Sequence, residues 1–243
     1  MDHEVAPSEG GDPVTSREQD VVRILLLLNG AGEPVEDAER GQPGLETAVR
    51  VVRTTVRLQK LDFWLRNPDY LADELLNDYE ASGEEPLMRL AASILDSDEP
   101  EVRRYPMLRH HFGAWENIDN ALAVLRSTGM AARRRRGTID RIRQSDYYLL
   151  EAGRRVAQDI VTAEPVFRYY VERVDLVVRL ADGLGGTELK RRQYLQREYA
   201  DTRRRERIGT VAARARTRLA ALRATLVDRP PGGASPDENE GAA

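Results

Sequence analysis

A chain of 243 residues is long enough to bury a substantial core as one large or two small domains. It has no cysteine, which excludes disulfides and a thiol nucleophile, and no run of about 18 apolar residues, which excludes an α-helical membrane span. Its net charge of −4 hides a split: residues 1–100 carry 22 acidic and 9 basic side chains, a net of −13, whereas residues 101–243 carry 19 and 28, a net of +9.

Residues 1–14 are polar and rich in Gly, Pro and acids, so their composition predicts disorder. Thr15 and Ser16 precede Glu18 and Gln19 by three residues, two alternative capping boxes. The helix they open carries Val21, Ile24, Leu25 and Leu28 on one face. Repeated Gly, Pro and acids from Gly30 to Gly44 predict a loop. Leu45, Val49, Val52 and Val56 keep helical spacing and continue through Leu58, Leu61 and Leu65, which predicts one long helix from Leu45 to Leu65. Asn67 before Pro68 ends it, because a residue before proline disfavours the helical region. Asp69 is then the expected cap of a helix carrying Leu71, Leu75 and Leu76, closed by Ser82 and Gly83. Leu87 to Leu95 predicts a further short helix, and residues 96–101 an acidic linker.

Trp115 opens an amphipathic helix with Ile118, Ala121, Leu122 and Leu125 on its inner face, and Gly129 closes it. Arg133, Arg134, Arg135, Arg136 and Gly137 follow, then the apolar run Tyr147 to Leu150, then Glu151, Ala152 and Gly153 at the start of a helix expected to reach Thr162. Pro165 permits another helix start, with Phe167, Tyr170, Val171, Val174, Val177, Val178 and Ala181 on one face. Gly183 to Gly186 breaks that helix. From Thr187 a long arginine-rich helix is expected to about Val227. Within it Ile208, Ala212, Ala215, Leu219, Leu222 and Leu226 alternate steps of four and three, the spacing of a coiled-coil seam. The reading is therefore disorder over 1–14 and 228–243, helices over 15–100, a helix–strand–basic turn–strand–helix module over 101–163, and C-terminal helices over 164–227.

Leu122 to Met130, the basic strand and Tyr148 to Gly153 together resemble MarR- and PadR-like winged helices. The resemblance implies a mainly α fold: a winged helix-turn-helix with added N-terminal helices and a long basic C-terminal helix. Leu150 stands where that pattern has Thr or Ser, which weakens the cap of the last helix. In such DNA binders the recognition helix enters the major groove and the wing touches backbone or minor groove. Arg133, Arg134, Arg135, Arg136, Arg141 and Arg143, against Asp140, give the wing a net of +5, the charge that phosphate contacts need. Side chains alternate along a strand, so about half of the arginine run can point at one surface. Asn117 and Asn120 are the candidate base readers, since their amides match adenine edges; Glu116 and Asp119 would repel phosphates. Two uses stay open: nucleic-acid contact through the wing, or a solvated or protein-facing charge run.

Lys190, Arg191, Arg192, Arg197, Arg203, Arg204, Arg205 and Arg207 form a second basic stretch, with Glu198, Asp201 and Glu206 available for local ion pairs. Tyr194 and Tyr199 lie among them, to stack on bases or to pack against the wing. The charge split suits the second half to polyanions, or draws the two halves, or a partner subunit, together.

The segment Leu58 to Leu71 holds Leu61, Asp62, Phe63, Trp64, Leu65, Arg66, Pro68 and Tyr70. It resembles a pattern in middle components of ABC-three-component systems and in winged-helix subunits of SMC-type defence complexes, with Asn67 in place of an aromatic. The family implies a non-catalytic adaptor beside ATPase and effector subunits. Phe63, Trp64 and Tyr70 then serve either the core or a partner interface, and Leu219 and Leu222 of the seam are further partner candidates.

No catalytic constellation emerges. His3 lies in the polar start, and His110 and His111 are neighbours that do not converge on one metal. Gly183 to Lys190 lacks the ending of a phosphate loop. Asp62 with the Asp69–Glu74 group has the acids of a metal nuclease without a recognisable motif. The expectation is a cytoplasmic protein without enzyme activity, metal or cofactor: an adaptor of a prokaryotic antiphage ATPase complex that contacts double-stranded DNA and partner subunits. The alternative is a homodimeric DNA-binding transcriptional regulator.

Overall fold

Ile24 to Leu28 is an unbroken apolar run, and the helix that contains it, α1 (Arg17–Ala31), is buried along that whole stretch. The computed structural model describes residues 17–96, 109–110, 113–114, 118–137, 142–203, 206 and 208–227. In them the chain is mainly helical, with one four-stranded antiparallel sheet and a two-stranded ribbon. The predicted disorder of 1–14 and 228–243 and the linker at 97–101 lie outside the described residues.

After α1 come β1 (Glu33–Pro34) and α2 (Asp37–Arg40), two short elements within the expected loop. Ala48–Val52 is then a strand, β2, and α3 begins only at Thr55 and runs to Arg66. The expected helix from Leu45 to Leu65 is thus corrected over residues 45–54, nearly its first half. Val49, Val51 and Val52 are β-branched and pack well on a pleated surface. Their partner is β6 (Ile142–Leu150), with Val51 opposite Tyr148 and Val52 opposite Tyr147, a pairing that local spacing cannot show. Thr54, between β2 and α3, has φ of 69°, a region that β-branched residues rarely occupy. It is held there from both ends: its N–H donates to Asp146 Oδ1 at 3.2 Å, and its Oγ1 accepts from Arg57 N at 3.1 Å.

Asn67 occupies the N-cap position of α4 (Pro68–Ser82), and Gly83 ends the helix in a left-handed conformation. The expected capping role of Asp69 moves elsewhere. Its carboxylate accepts from Thr210 Oγ1 at 2.6 Å and from Val211 N at 2.8 Å, so it satisfies a backbone donor just before α11 (Ala212–Val227). Helix α5 (Glu85–Asp96) follows α4 as expected. The ribbon pairs β3 (Arg109–His110) with β4 (Gly113–Ala114).

The module in the middle of the chain comprises α6 (Asp119–Ser127), β5 (Ala131–Gly137), β6 and α7 (Glu151–Ala163). The sheet order is β1-β2-β6-β5. On one face Val52, Ala131, Tyr147 and Leu149 enter the main core; on the other Val35, Leu45, Ala48, Val51 and Tyr148 form a small second cluster. Leu150 takes the N-cap position of α7 without a side-chain cap, and the exposed backbone is tied instead by Glu151 N–H to Thr47 O at 2.8 Å. Gly153 has a steric reason: a Cβ there would lie 2.4 Å from the Met130 carbonyl oxygen and 2.7 Å from a Leu149 methyl. Gly153→Ala is expected to cost about 1–3 kcal/mol, measured as a lowered denaturant midpoint; an unchanged midpoint would mean that α7 does not press on the hairpin.

Helix α8 (Phe167–Leu180) buries Val174 and Val177 against the core. The single long helix expected from Thr187 is corrected to three: α9 (Gly186–Tyr194), α10 (Arg197–Ala200) and α11. Two anchors break it. Tyr199 is fully buried, edge-on to Phe63 at 5.7 Å, and the Gly209 carbonyl accepts from the Tyr70 hydroxyl at 2.8 Å. A straight helix could not meet both. Along α11, Ala215 and Leu219 are buried, and Leu222 and Leu226 pack on the same core. The seam is used within the chain, where α11 packs on α4 and α5.

The charge split is also met internally. Asp73 accepts from Arg214 at 3.0 Å and Arg218 at 3.1 Å, Glu80 pairs with Arg218, and Glu74 and Asp78 pair with Arg192. The acidic face of α4 thus neutralises arginines of the C-terminal helices, as opposite charges at contact distance should.

Candidate nucleic-acid interface

Helix α6 buries Ala121, Leu122 and Leu125 and leaves Asp119, Asn120, Ala123 and Arg126 exposed. It ends where Gly129 takes φ of 68° and the Met130 N–H bonds back to the Leu125 carbonyl at 2.8 Å, the C-terminal wrap that glycine permits. The chain turns directly into β5. The antiparallel hairpin sets Arg133 opposite Tyr147, Arg134 opposite Asp146, Arg135 opposite Ser145 and Arg136 opposite Gln144.

The four arginines of β5 have different surroundings. Arg136 is held by the protein: its Nε donates to Asp146 Oδ2 at 2.7 Å and its terminal nitrogen to Glu39 Oε1 at 3.1 Å. Asp146 is fully buried and also accepts from Gln144 at 2.6 Å. Glu39 takes a two-pronged pair from Arg53 at 2.9 and 3.0 Å, and the Tyr148 hydroxyl donates to it at 2.7 Å. The Arg53 bonds, helped by Tyr148, outweigh burial and hold the Glu39 carboxyl down to about 2. Burial, and the bond to Glu39, push the Tyr148 phenol up. This network locks the second face of the hairpin to the loop around α2.

Arg133 is half-buried. Its guanidinium lies 5.5 Å from the centre of the Tyr147 ring, donates to Ser145 Oγ at 3.1 Å, and approaches Asp119 Oδ1 to 3.8 Å. Its Nε is buried without a hydrogen-bond partner among the described residues. Arg135 is exposed and Arg134 half-exposed, and neither forms an ion pair with a described carboxylate. The Glu46 carboxyl is held low first by the Gly44 N–H and last by the charge of Arg134. Arg126, from the last turn of α6, joins Arg133, Arg134 and Arg135 around a concavity of about 430 Å³. A hollow lined by four arginine residues attracts polyanions, and planar guanidinium donors match phosphate oxygens; along β5, Arg133 and Arg135 share one face, and the terminal nitrogen of Arg134 reaches toward Gly44 on the other.

Arg133, Arg134 and Arg135 line the hollow, the side chain of Arg134 from the face it shares with Arg136, and Arg136 itself is held by the network behind the sheet. Arg141 and Asn117, with Trp115 and Glu116, lie outside the described residues, as does the side chain of Arg143. Asn120 is exposed beside Asp119. Arg126 was not among the expected contacts; its sequence signal was its place three residues before the helix-closing Gly129 and seven before Arg133.

Phe63, Trp64 and Tyr70 are 1%, 2% and 2% exposed. Of the two uses open from sequence, packing is the one the fold gives them, with Phe63 edge-on to Tyr70 at 5.0 Å. Leu219 is likewise buried and Leu222 half-buried. These five side chains offer a partner little surface in this conformation. In the second basic stretch, Arg192 is spent on Glu74 and Asp78, and Lys190 lies over the Tyr194 ring at 5.7 Å. Arg191, Arg197 and Arg203 are exposed; Arg204, Arg205 and Arg207 lie outside the described residues. Tyr194 and Tyr199 stack edge-on at 5.1 Å above α3, not against the wing.

The acids considered for metal chemistry are engaged otherwise. Asp62 is buried between Arg23 and Arg66, each 2.9 Å away. Burial pushes its carboxyl up, and the two arginines more than offset this, so it stays below the usual range. Among the described residues no group of three His, Asp or Glu side chains is placed to hold a metal ion, and no helix is long and apolar enough to cross a membrane. The Gly183–Gly186 segment is the break between α8 and α9, with Glu188 accepting from the Gly185 N–H at 3.3 Å. No family model, curated protein or solved structure matches the chain.

Proposed function

We propose that this chain is a non-catalytic winged-helix subunit that grips double-stranded nucleic acid by its phosphates and works as the adaptor of a prokaryotic defence ATPase complex. The observation that carries the nucleic-acid half of this reading is the arginine hollow. Arg126, Arg134 and Arg135 line it without an ion pair to any described carboxylate, whereas Arg192, Arg214 and Arg218 elsewhere are paired across the fold. The helix–strand–strand–helix order of α6, β5, β6 and α7, with β5 and β6 paired antiparallel, supports the winged-helix reading. The adaptor half rests on the resemblance of Leu58 to Leu71 to defence-complex subunits.

Co-purification from the native operon tests the adaptor role. An ATPase or effector subunit that stays bound through two chromatographic steps is the expected result; recovery of the chain alone would remove that role and leave the nucleic-acid reading standing. A second reading, a homodimeric transcriptional regulator, draws on the exposed amide of Asn120 on α6. It requires sequence-selective binding to a palindromic operator.

A further inference from the structure

In the sheet order β1-β2-β6-β5, β5 is the last strand, and no described strand lies beyond it. The opposite margin is closed by its own sequence: β1 is two residues long and contains Pro34, which has no N–H to donate. β5 has seven residues and no proline. One bond fixes the phase of its pairing. The Leu150 N–H donates to the Met130 carbonyl at 2.9 Å, and the same register continues as Ala132 with Tyr148 and Arg134 with Asp146. These are therefore the hydrogen-bonded pairs. In an antiparallel ladder the residues between them turn their N–H and C=O groups the other way. Ala131, Arg133 and Arg135 thus present their backbone groups to the open margin, where no other described segment bonds to them.

Resting on the adaptor half of the reading above, we infer that β5 is the docking edge for an acidic, extended segment of a partner protein, which joins the sheet as a fifth, antiparallel strand. Such strand addition takes its affinity from the main chain and its specificity from alternate side chains. A residue directly opposite Arg133 or Arg135 lies on the same face as that arginine, so carboxylates at every second position of the incoming strand meet both. Arg135 is exposed and forms no ion pair with a described carboxylate. A second copy of this chain is the wrong occupant. Two β5 strands paired antiparallel about Arg134 would set Arg133 opposite Arg135, and like charges directly opposite destabilise a sheet. Phosphates do not answer the edge either, because their oxygens only accept and the outward carbonyls of Arg133 and Arg135 need donors.

The test uses the full chain and a fluorescein-labelled peptide of nine residues in which glutamate alternates with threonine, titrated at 0.1 M salt. A second peptide keeps the same side chains and charge but carries N-methyl groups on the glutamate nitrogens, which removes its ladder donors. The first peptide binds, and the methylated one binds at least about tenfold more weakly. Arg135→Ala weakens the first peptide about threefold, the loss of one cross-strand charge pair. Arg135→Pro weakens it about tenfold further, since the edge donor is lost as well. The Arg135 N–H points away from β6, so an edge proline is compatible with the sheet, and a melting curve for each variant checks this. If Arg135→Pro does not fold, the two peptides on the wild-type chain decide alone. Equal affinity for the two peptides would overturn the inference, because charge without strand pairing would then explain the contact. So would failure of the first peptide to bind, or a folded Arg135→Pro that binds it as tightly as Arg135→Ala. Each of these results leaves co-purification of an ATPase or effector subunit, and with it the adaptor role, to stand or fall separately.

Discussion

Replacing Arg126, Arg134 and Arg135 together with alanine should lower the affinity for duplex DNA by several hundredfold at 0.1 M salt. Each phosphate neutralised contributes about 0.9 to the slope of log affinity against log salt, or roughly eightfold per contact at 0.1 M relative to 1 M. Three contacts multiply to about 500-fold, and the salt slope should fall by nearly three. The thermal midpoint should hardly move, because none of the three forms an ion pair with a described carboxylate. Arg136→Ala makes the contrasting control. It strips a donor from fully buried Asp146 and from Glu39, so its main effect is on stability, since an uncompensated buried carboxylate is costly. If the triple variant binds duplex as tightly as wild type, the hollow is not the contact surface.

Replacing Lys60 should change the pH dependence of folding between about pH 7 and 10. Its side chain is buried at the junction of α3 with α9 and α10, donating to Gln193 Oε1 and, at 3.3 Å, to the Tyr199 hydroxyl. No described carboxylate pairs with it. Burial first, and the Lys190 charge second, bring its amine down to about 7 from 10.5. Because the folded value lies below the unfolded one, the unfolded chain holds more protons between these two pH values. Stability therefore rises with pH from about 7 to 10.5 and is flat in this group below 7. The full span corresponds to a contribution on the order of 5 kcal/mol. Lys60→Met, of similar length and without charge, should remove that slope and stabilise the protein at pH 7. Urea midpoints at several pH values from 7 to 10 check it; parallel curves for the two proteins would show that the amine stays protonated through hydrogen bonding alone.

The parts of the fold that are legible in the sequence are those set by local chemistry. The α6 stripe, the Gly129 stop, the arginine strand and the Glu151 start lie within one short stretch, and each is punctuated by a residue with a backbone reason. The break at Asn67 and Pro68 and the stop at Gly83 belong to the same class. What escaped was set by distant partners. Val49 to Val52 fits helical or strand spacing, and β6, almost 100 residues on, decides in favour of the strand. Asp69 looks like a cap for the helix it sits in and instead serves the start of α11. The arginine-rich C-terminal stretch reads as one helix until Tyr199 and Gly209 are tied to α3 and α4.

The candidate site was half legible for the same reason. A run of four arginines is visible at once, but which of them remains available depends on Asp146 and Glu39, and Glu39 is 97 residues from Arg136. The charge split left open whether the two halves attract each other or a polyanion. The fold divides the arginines between both uses: Arg192, Arg214 and Arg218 bind α4 and Arg136 binds Asp146 and Glu39, whereas Arg126 and Arg135 stay exposed.

Whether the arginine hollow holds the phosphates of a duplex is decided by the affinity of the wild-type chain for one random-sequence duplex across 50–300 mM salt. Measurable binding is expected, its logarithm falling linearly with log salt with a slope of about −3 or steeper. No binding at 50 mM, or an affinity that salt leaves unchanged, would contradict it.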